Sequence, residues 1–346
     1  MFAHFARAWP EAPVYTALYE ESATGDLVAP NRVVVSPLQR LPMVDRYFRY
    51  LAPLYPAVFE RFDLSAFDTI ISSTTSWAKG VRFRPGAIHV SYVNTVSRFV
   101  FAYQDYVGAL SPGVSALARP VVERLAAWDR RAAQMPTALV ANSRNVAGRI
   151  ERYYGRSSYV LPCPVDVERF TVGAGGGDYF VAVARLLPYK RIDVAIAACA
   201  LAGVPLRVVG SGPAEADLRA AARGTQTTFC GTLGDAELNA LIGRARGVIV
   251  AAEEDFGLVP VEAAAAGRPT LAYGRGGALE TVVPGVTGEY FADQSAASLA
   301  AAIAALDETR YDPARLRAHA EQFAPPRFIA RLRDIVAEVR DGTRIT

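Results

Sequence analysis

Cysteine is scarce in this chain: three occur among 346 residues, at positions 163, 199 and 230, an odd and scattered set without CxxC spacing. That excludes a disulfide-built scaffold. It predicts reduced core thiols of the kind found in the cytosol, with Cys199 in an apolar helix pattern and Cys230 in an apolar strand pattern. Histidine is as rare: His4, His89 and His319 are dispersed without ligand spacing, so no metal site is expected. No run of about 18 apolar residues is present to cross a bilayer. The opening Met1-Phe-Ala-His-Phe-Ala-Arg-Ala lacks the order of a signal peptide, and the expectation is a cytoplasmic protein. The formal net charge is only +3 and no Lys/Arg run tracks a phosphate backbone, which argues against nucleic acid as a partner.

What the chain does have is a balanced globular composition, 51% hydrophobic and 21% charged, over a length that suits two domains. Apolar β-type runs at 12–18, 32–36, 69–73, 88–93 and 138–141 alternate with helical stretches. After the break at Leu161-Pro-Cys-Pro-Val165, the run Gly173-Ala-Gly-Gly-Gly177 is the longest glycine-rich spacer, and the domain boundary is expected in this region. The second half repeats the alternation more cleanly, with strands expected at 179–184, 206–210, 227–230, 248–252 and 270–273. Such alternation predicts an α/β fold of doubly wound parallel sheets, whose ligands bind beyond the carboxyl ends of the strands.

The densest chemistry lies in Glu254-Asp-Phe-Gly-Leu-Val-Pro-Val-Glu262, which joins two carboxylates across an expected helix start. With a strand before it, a helix over 257–266 and Gly267-Arg-Pro269 as its stop, Glu254 falls in the loop and Glu262 inside the helix. Free backbone N–H groups at Gly257, Leu258 and Val259 would favour an anion such as a diphosphate, and flanking carboxylates suit ribose and hexose hydroxyls. Solvated helix-end charges are the alternative reading. Arg185 at the end of the 179–184 strand and Lys190 near the next helix suit a diphosphate leaving group, with surface cations as the alternative. Gly210-Ser211-Gly212 is a further glycine turn at a strand end, where backbone can approach a ligand closely.

The E-x7-E spacing of Glu254 and Glu262 resembles the motif of family 4 retaining glycosyltransferases, and residues 253–282 are similar to their O-antigen mannosyltransferase branch. The resemblance implies the GT-B fold, two Rossmann-like domains facing a cleft. Its parts would be an acceptor-side domain over 1–168, a nucleotide-sugar domain over 169–325, and a helix over 326–346 returning to the first domain. It implies that Glu254 approaches the donor hexose and Glu262 holds the ribose. Gly231-Thr232-Leu233 would lie near the base, and Asp255, Phe256, Gly257, Leu258, Val259 and the Gly276-Gly277-Ala-Leu-Glu280 turn near the donor. Ile70-Ile-Ser-Ser73, Ala141-Asn-Ser143-Arg144 and Pro164-Val-Asp166-Val-Glu-Arg-Phe170 extend the likeness.

Two departures stand out. Asn94, in His89-Val-Ser-Tyr-Val-Asn94, stands where the family segment usually reads H-T-P; asparagine can hydrogen-bond a sugar hydroxyl but cannot exchange a proton near neutral pH. The family's first strand and G-G-A-E type loop have no counterpart before the helical segment 1–9. The expectation is a first domain with a gap in its sheet, from a late start codon or a real truncation.

The implied function is transfer of a hexose, mannose from GDP-mannose, to a polysaccharide or lipid-linked saccharide with retention, without cofactor, metal or protein nucleophile. Glucose is left open as the sugar. The arginines and aromatics interleaved between Arg40 and Arg61 could rest on the inner face of the cell membrane, or form an ordinary packed amphipathic helix. Competing readings are a non-catalytic sugar-nucleotide-binding remnant and a Rossmann oxidoreductase. The latter needs G-x-G-x-x-G, and Gly210-Ser-Gly212-Pro-Ala-Glu215 lacks the third glycine.

Overall fold

A computed structural model describes residues 2–24, 27–101 and 112–342. They divide into two compact units, one formed by the chain up to Pro162 together with residues from Phe328 onward, the other by Cys163–Arg327.

The first unit contains β1 (Val14–Thr16), β2 (Val33–Val35), β3 (Thr69–Thr74), β4 (Ile88–Val93), β5 (Ala138–Ala141) and β6 (Tyr159–Val160). All its pairings are parallel, which requires a crossover between neighbours, but the strands form two sheets: β1-β2 and β3-β4-β5-β6. β4 and β5 are buried on both faces, as their continuous apolar runs require. The Pro325–Arg340 helix sets Phe328, Leu332, Ile335, Val336 and Val339 on one stripe at helical spacing. That stripe packs on Phe5, Val90 and Tyr92, and the rings of Phe5, Tyr92 and Phe328 meet edge to face, centroids 5.6 to 5.7 Å apart. The Arg144–Tyr154 helix starts at Ser143, whose hydroxyl accepts from the Val146 N–H, and ends at Gly155 with φ of 64°.

The second unit contains β7 (Phe180–Val183), β8 (Leu206–Val209), β9 (Thr227–Gly231), β10 (Gly247–Val250), β11 (Thr270–Tyr273) and β12 (Gly288–Phe291), in one parallel sheet of order β12-β11-β10-β7-β8-β9. Its Ile192–Ala202 and Ala296–Ala305 helices pack on each other, and both are built mainly of alanine and aliphatic residues that allow close approach. Arg317 fastens the entry to this unit, donating to the carbonyls of Val167 at 2.9 Å and Phe170 at 2.6 Å.

Three departures from the sequence pattern have physical causes. β6 is two residues long, and β12 reads Gly-Glu-Tyr-Phe, so neither shows an apolar run. The glycine run 173–177 is not a loose spacer. Gly173, Gly175 and Gly177 donate to Ala266, Gly243 and Arg244, and a Cβ on Gly173 would lie 2.2 Å from the Gly243 carbonyl oxygen. Its glycines permit backbone contact inside the second unit. Between Arg40 and Arg61 the chain forms three short helical segments, Val44–Tyr47, Phe48–Leu54 and Tyr55–Glu60, rather than one amphipathic helix. Pro53 and Pro56 interrupt it.

Candidate active site

The second sheet grows outward from β7 through β8 and β9, then returns to the other side of β7 to place β10 and its successors. At such a reversal the loops after the two central strands leave in different directions, opening a crevice at their carboxyl ends. The loop after β7 carries Arg185 and Lys190; the loop after β10 carries Glu254. They meet there. Lys190 Nζ donates to both Oε1 and Oε2 of Glu254 at 2.7 Å, and the two side chains are 19% and 22% exposed. An ammonium has three protons, so a third donor of Lys190 remains for another oxygen. Arg185 is exposed. Arg191, held at φ of 52°, is turned away to Asp193 and to Gln294, whose amide in turn donates to the Ala251 carbonyl.

The Glu254 loop is braced by the glycine turn that follows β11. Gly277 N–H donates to the Glu254 carbonyl at 2.8 Å, and a Cβ on Gly277 would lie 2.3 Å from the Phe256 carbonyl oxygen. Glu280 and Asp255 are half-buried beside these turns. Phe256 is 3% exposed, with its ring edge-on against Phe323 and its backbone packed against Gly277.

Gly257, with φ of 92°, caps the Leu258–Ala265 helix in a conformation that favours glycine. The helix is one residue shorter at each end than its sequence pattern predicts. Leu258 and Val259 supply first-turn N–H groups, whereas Pro260 has none. Glu262 follows on the same helix. Burial pushes its carboxyl above the usual carboxylate range, the Arg169 guanidinium opposes that, and the Asp235 charge adds to it. Arg169 and Asp235 are themselves ion-paired. This pair was not singled out from sequence, because 169 and 235 lie on separate elements; Arg169 stood only within the motif-like run Pro164–Phe170.

Gly210 and Gly212 prove to be packing glycines. A Cβ on Gly210 would lie 1.9 Å from the Ala184 carbonyl oxygen, and one on Gly212 would lie 2.4 Å from that of Leu186. Leu186 N–H donates to Ser211 O, and Ala214 N–H to Leu186 O. These glycines let the turn pack closely on the β7 loop, which fixes the backbone beside Arg185. Gly231, with φ of 67°, faces open space; Thr232 beyond it is exposed and Leu233 half-buried.

Asn94 lies in the first unit, at the carboxyl end of β4. Its Nδ2 donates to Ser73 Oγ at 3.0 Å and to Thr74 O at 3.2 Å. Both amide protons are engaged, which leaves Oδ1 as the atom that can accept from a hydroxyl. Cys163 and Cys199 are buried, Cys230 half-buried, and none of the three forms a disulfide; burial pushes the Cys199 thiol up to about 12. Among the described residues no group of three or more His, Cys, Asp or Glu could hold a metal ion, and no helix is long and apolar enough to cross a membrane.

Residues 166–323 match the family described as "Glycosyl transferases group 1". A 94-residue stretch is 43% identical to the glycogen synthase of Mycobacterium tuberculosis (strain CDC 1551 / Oshkosh), covering 27% of this chain and 23% of that relative. The chain thus aligns with under a quarter of the length of the curated relative it matches. Among solved structures, sucrose-phosphate synthase (tll1590) from Thermosynechococcus elongatus superposes with a TM-score of 0.69 at 19% identity, over 90% of this chain and 84% of that one. Anabaena Alr3699/HepE, solved with UDP-glucose, gives 0.67 at 18% identity, over 97% and 94%. The chain has the α/β fold of these GT-B structures, and the match to the glycosyl transferases group 1 family lies within its second unit.

Proposed function

We propose that this protein is a retaining, metal-independent hexosyltransferase that takes the sugar of a nucleoside diphosphate hexose. The observation that carries the reading is the Lys190–Glu254 pair across the β7/β10 reversal, with Gly257, the free N–H groups after it and Glu262 on the same loop and helix. Lys190 and Arg185 neutralise the diphosphate as charge develops on it. Glu254 accepts from hexose hydroxyls and holds Lys190 in place. Glu262 accepts from the ribose, and Gly231, Thr232 and Leu233 flank the base.

In the step itself, the bond from the anomeric carbon to the phosphate oxygen breaks and its electron pair stays on the diphosphate. The acceptor hydroxyl oxygen bonds to the same face of that carbon, and its proton passes to the departing phosphate oxygen. No protein nucleophile enters. The acceptor is a polysaccharide or lipid-linked saccharide held by the first unit, where Asn94 Oδ1 accepts from a hydroxyl. Exposed Leu41, Met43, Tyr47, Phe48, Tyr50 and Leu54, beside the exposed Arg40 and Arg46, fit contact with an anionic membrane surface on the cytoplasmic side.

The donor assigned is GDP-mannose, on the similarity of residues 253–282 to the mannosyltransferase branch; UDP-glucose, bound by Alr3699/HepE, is its competitor. Calorimetric titration with GDP, UDP, GDP-mannose and UDP-glucose, repeated on Glu262→Ala, tests the reading. GDP-mannose should bind best and lose at least tenfold in affinity in the variant, since a hydrogen bond to a charged group contributes about 1.5–3 kcal/mol. A folded protein that binds none of the four would sink the proposal. Donor binding without transfer would identify a sugar-nucleotide-binding remnant.

A further inference from the structure

The charges buried in the first unit lie against the loops that follow β3 and β4. Lys79 is on the turn Ala78–Gly80 beyond β3 and Asp129 on the helix Pro112–Ala132; both are fully buried. Lys79 Nζ donates to Asp129 Oδ1 and to the Ser76 carbonyl, and it lies 5.5 Å from the centre of the Tyr154 ring. The Tyr154 hydroxyl donates to the other carboxylate oxygen at 2.6 Å. Ser97, from the loop after β4, sets its Oγ 3.1 Å from Asp129 Oδ1 and 3.3 Å from the Thr75 carbonyl oxygen. One cluster therefore grips both loops, through Thr75 and Ser76 after β3 and through Ser97 after β4.

A buried ion pair is a poor source of stability, because desolvation offsets the attraction and apolar side chains of like volume often serve as well or better. What the charges add is direction. The backbone carbonyls that the cluster engages, those of Thr75 and Ser76, belong to a loop rather than to a strand, so its hydrogen bonds fix the loop in one arrangement. Trp77 on the same loop packs against the rings of Tyr55 and Trp128, centroids 6.2 and 5.6 Å away, which adds a second set of contacts.

Both loops stand at the carboxyl ends of their strands, where parallel sheets bind ligands. β3 and β4 pair with Thr74 beside Val93, and Thr75 and Asn94 are the next residues of each. Parallel neighbours stand about 4.8 Å apart, a spacing that suits neighbouring hydroxyls of one sugar ring. Thr75 is exposed, and Asn94 has both amide protons engaged and Oδ1 left to accept.

We propose that Lys79, Asp129 and Ser97 are positioning residues for the acceptor, holding the loops after β3 and β4 so that the Thr75 hydroxyl and Asn94 Oδ1 meet neighbouring hydroxyls of a saccharide. This rests on the reading of the first unit as the acceptor's and names the device that shapes its site.

The test uses the full chain. Lys79→Met, Asp129→Leu and Tyr154→Phe combined replace the cluster by apolar side chains of similar size, and Thr75→Val removes one hydroxyl. Transfer to octyl α-mannoside and octyl α-glucoside is followed from GDP-mannose and from UDP-glucose, and binding of each glycoside by saturation-transfer NMR. Donor affinity is measured by calorimetry, and hydrogen exchange by mass spectrometry at 74–80 and 94–97, with 138–141 as the interior reference. The combined variant should keep the parental Tm and donor affinity, while exchange in both loops quickens about tenfold and acceptor kcat/KM falls roughly 10–100-fold, mostly through KM. Thr75→Val should raise the acceptor KM by up to about tenfold and leave loop exchange as it was. Parental acceptor kinetics in the combined variant, or equal losses of donor and acceptor affinity, would overturn the proposal. So would a parent that binds donor yet neither transfers to nor binds either glycoside. A parent that binds no donor would instead remove the glycosyl-transfer reading, and the acceptor assignment with it. Should the combined variant fail to fold, Ser97→Ala cuts the tie between the loops and leaves the charge pair; unchanged kinetics and exchange there are equally decisive against the proposal.

Discussion

The second unit closes one sheet over six parallel strands around an apolar interior that includes Phe180, Leu206 and Leu271, whereas the first divides its strands into a pair and a set of four and buries charge. In the first unit Lys79, 1% exposed, pairs with Asp129, 0% exposed. Asp129 also accepts from Tyr154 at 2.6 Å and Ser97 at 3.1 Å. Burial lowers the Lys79 pKa, partly opposed by Asp129, and burial and Asp129 together raise that of Tyr154. His89, pushed down to about 3 chiefly by burial and then by the Arg156 charge, stays neutral against Ser72. The difference concerns where polar groups are placed. The second unit sets Lys190 and Glu254 at strand ends and buries Arg268, Thr270, Thr281 and Thr287 but no ion pair like the one in the first, whose interior carries Lys79, Asp129, Tyr154 and Ser97 in one network that loses heavily if one partner goes.

The largest effect that would break this contrast is expected for Asp129→Ala. It leaves Lys79 buried without its counter-ion, at a cost of about 3–5 kcal/mol. All three tryptophans, Trp9, Trp77 and Trp128, belong to the first unit, so tryptophan emission reports that unit selectively. Its unfolding midpoint in urea should fall sharply while nucleotide binding at the second unit survives. Joint loss of both would mean that the units are not energetically separable in this way.

Next in size is Lys190→Ala, which removes the cation proposed to face the leaving group but no core contact. Transfer should slow about 10²–10³-fold, with the emission-detected midpoint unchanged. A variant that transfers sugar at the parental rate would remove Lys190 from the site.

The smallest effect is that of Glu262→Gln on stability. Burial raises the folded-state pKa of Glu262 above its unfolded value, so the folded form binds the proton more tightly. Stability from this group is full below the unfolded value and is lost as pH rises through the folded one. Glutamine removes the titration. The variant should therefore gain in Tm relative to the parent as pH rises from the acid side through that window, even as its affinity for nucleotide falls. A Tm difference constant with pH would show that Glu262 titrates as an ordinary carboxylate.

The alternation of apolar runs and helical stretches made the parallel α/β class legible, because a strand buried on both faces must be apolar throughout. β4, β5 and β11 lie at the residues that pattern marks. Edge strands escape it: β12 needs only part of its surface apolar, and Gly288 serves mainly to let the backbone approach Thr270. Within the site, the residue types at 185, 190, 254 and 262 were legible, but the reasons for several glycines were not. Gly173, Gly210 and Gly277 are read equally well as spacer or ligand turn until the neighbouring carbonyls are seen. Phe256 sits among site residues yet packs on Phe323.

Composition and local pattern by themselves determined which segments become interior strands such as β4, β5 and β11, and which loops hold cations and carboxylates, because burial and backbone preference act over a few residues. Only the tertiary structure decided that Lys190 meets Glu254, that Arg169 and Asp235 act on the Glu262 carboxyl, and that β1 and β3 face each other across a cavity. Those relations depend on strand order, and strand order is set by how crossovers pack a whole sheet rather than by the residues that happen to be near in sequence.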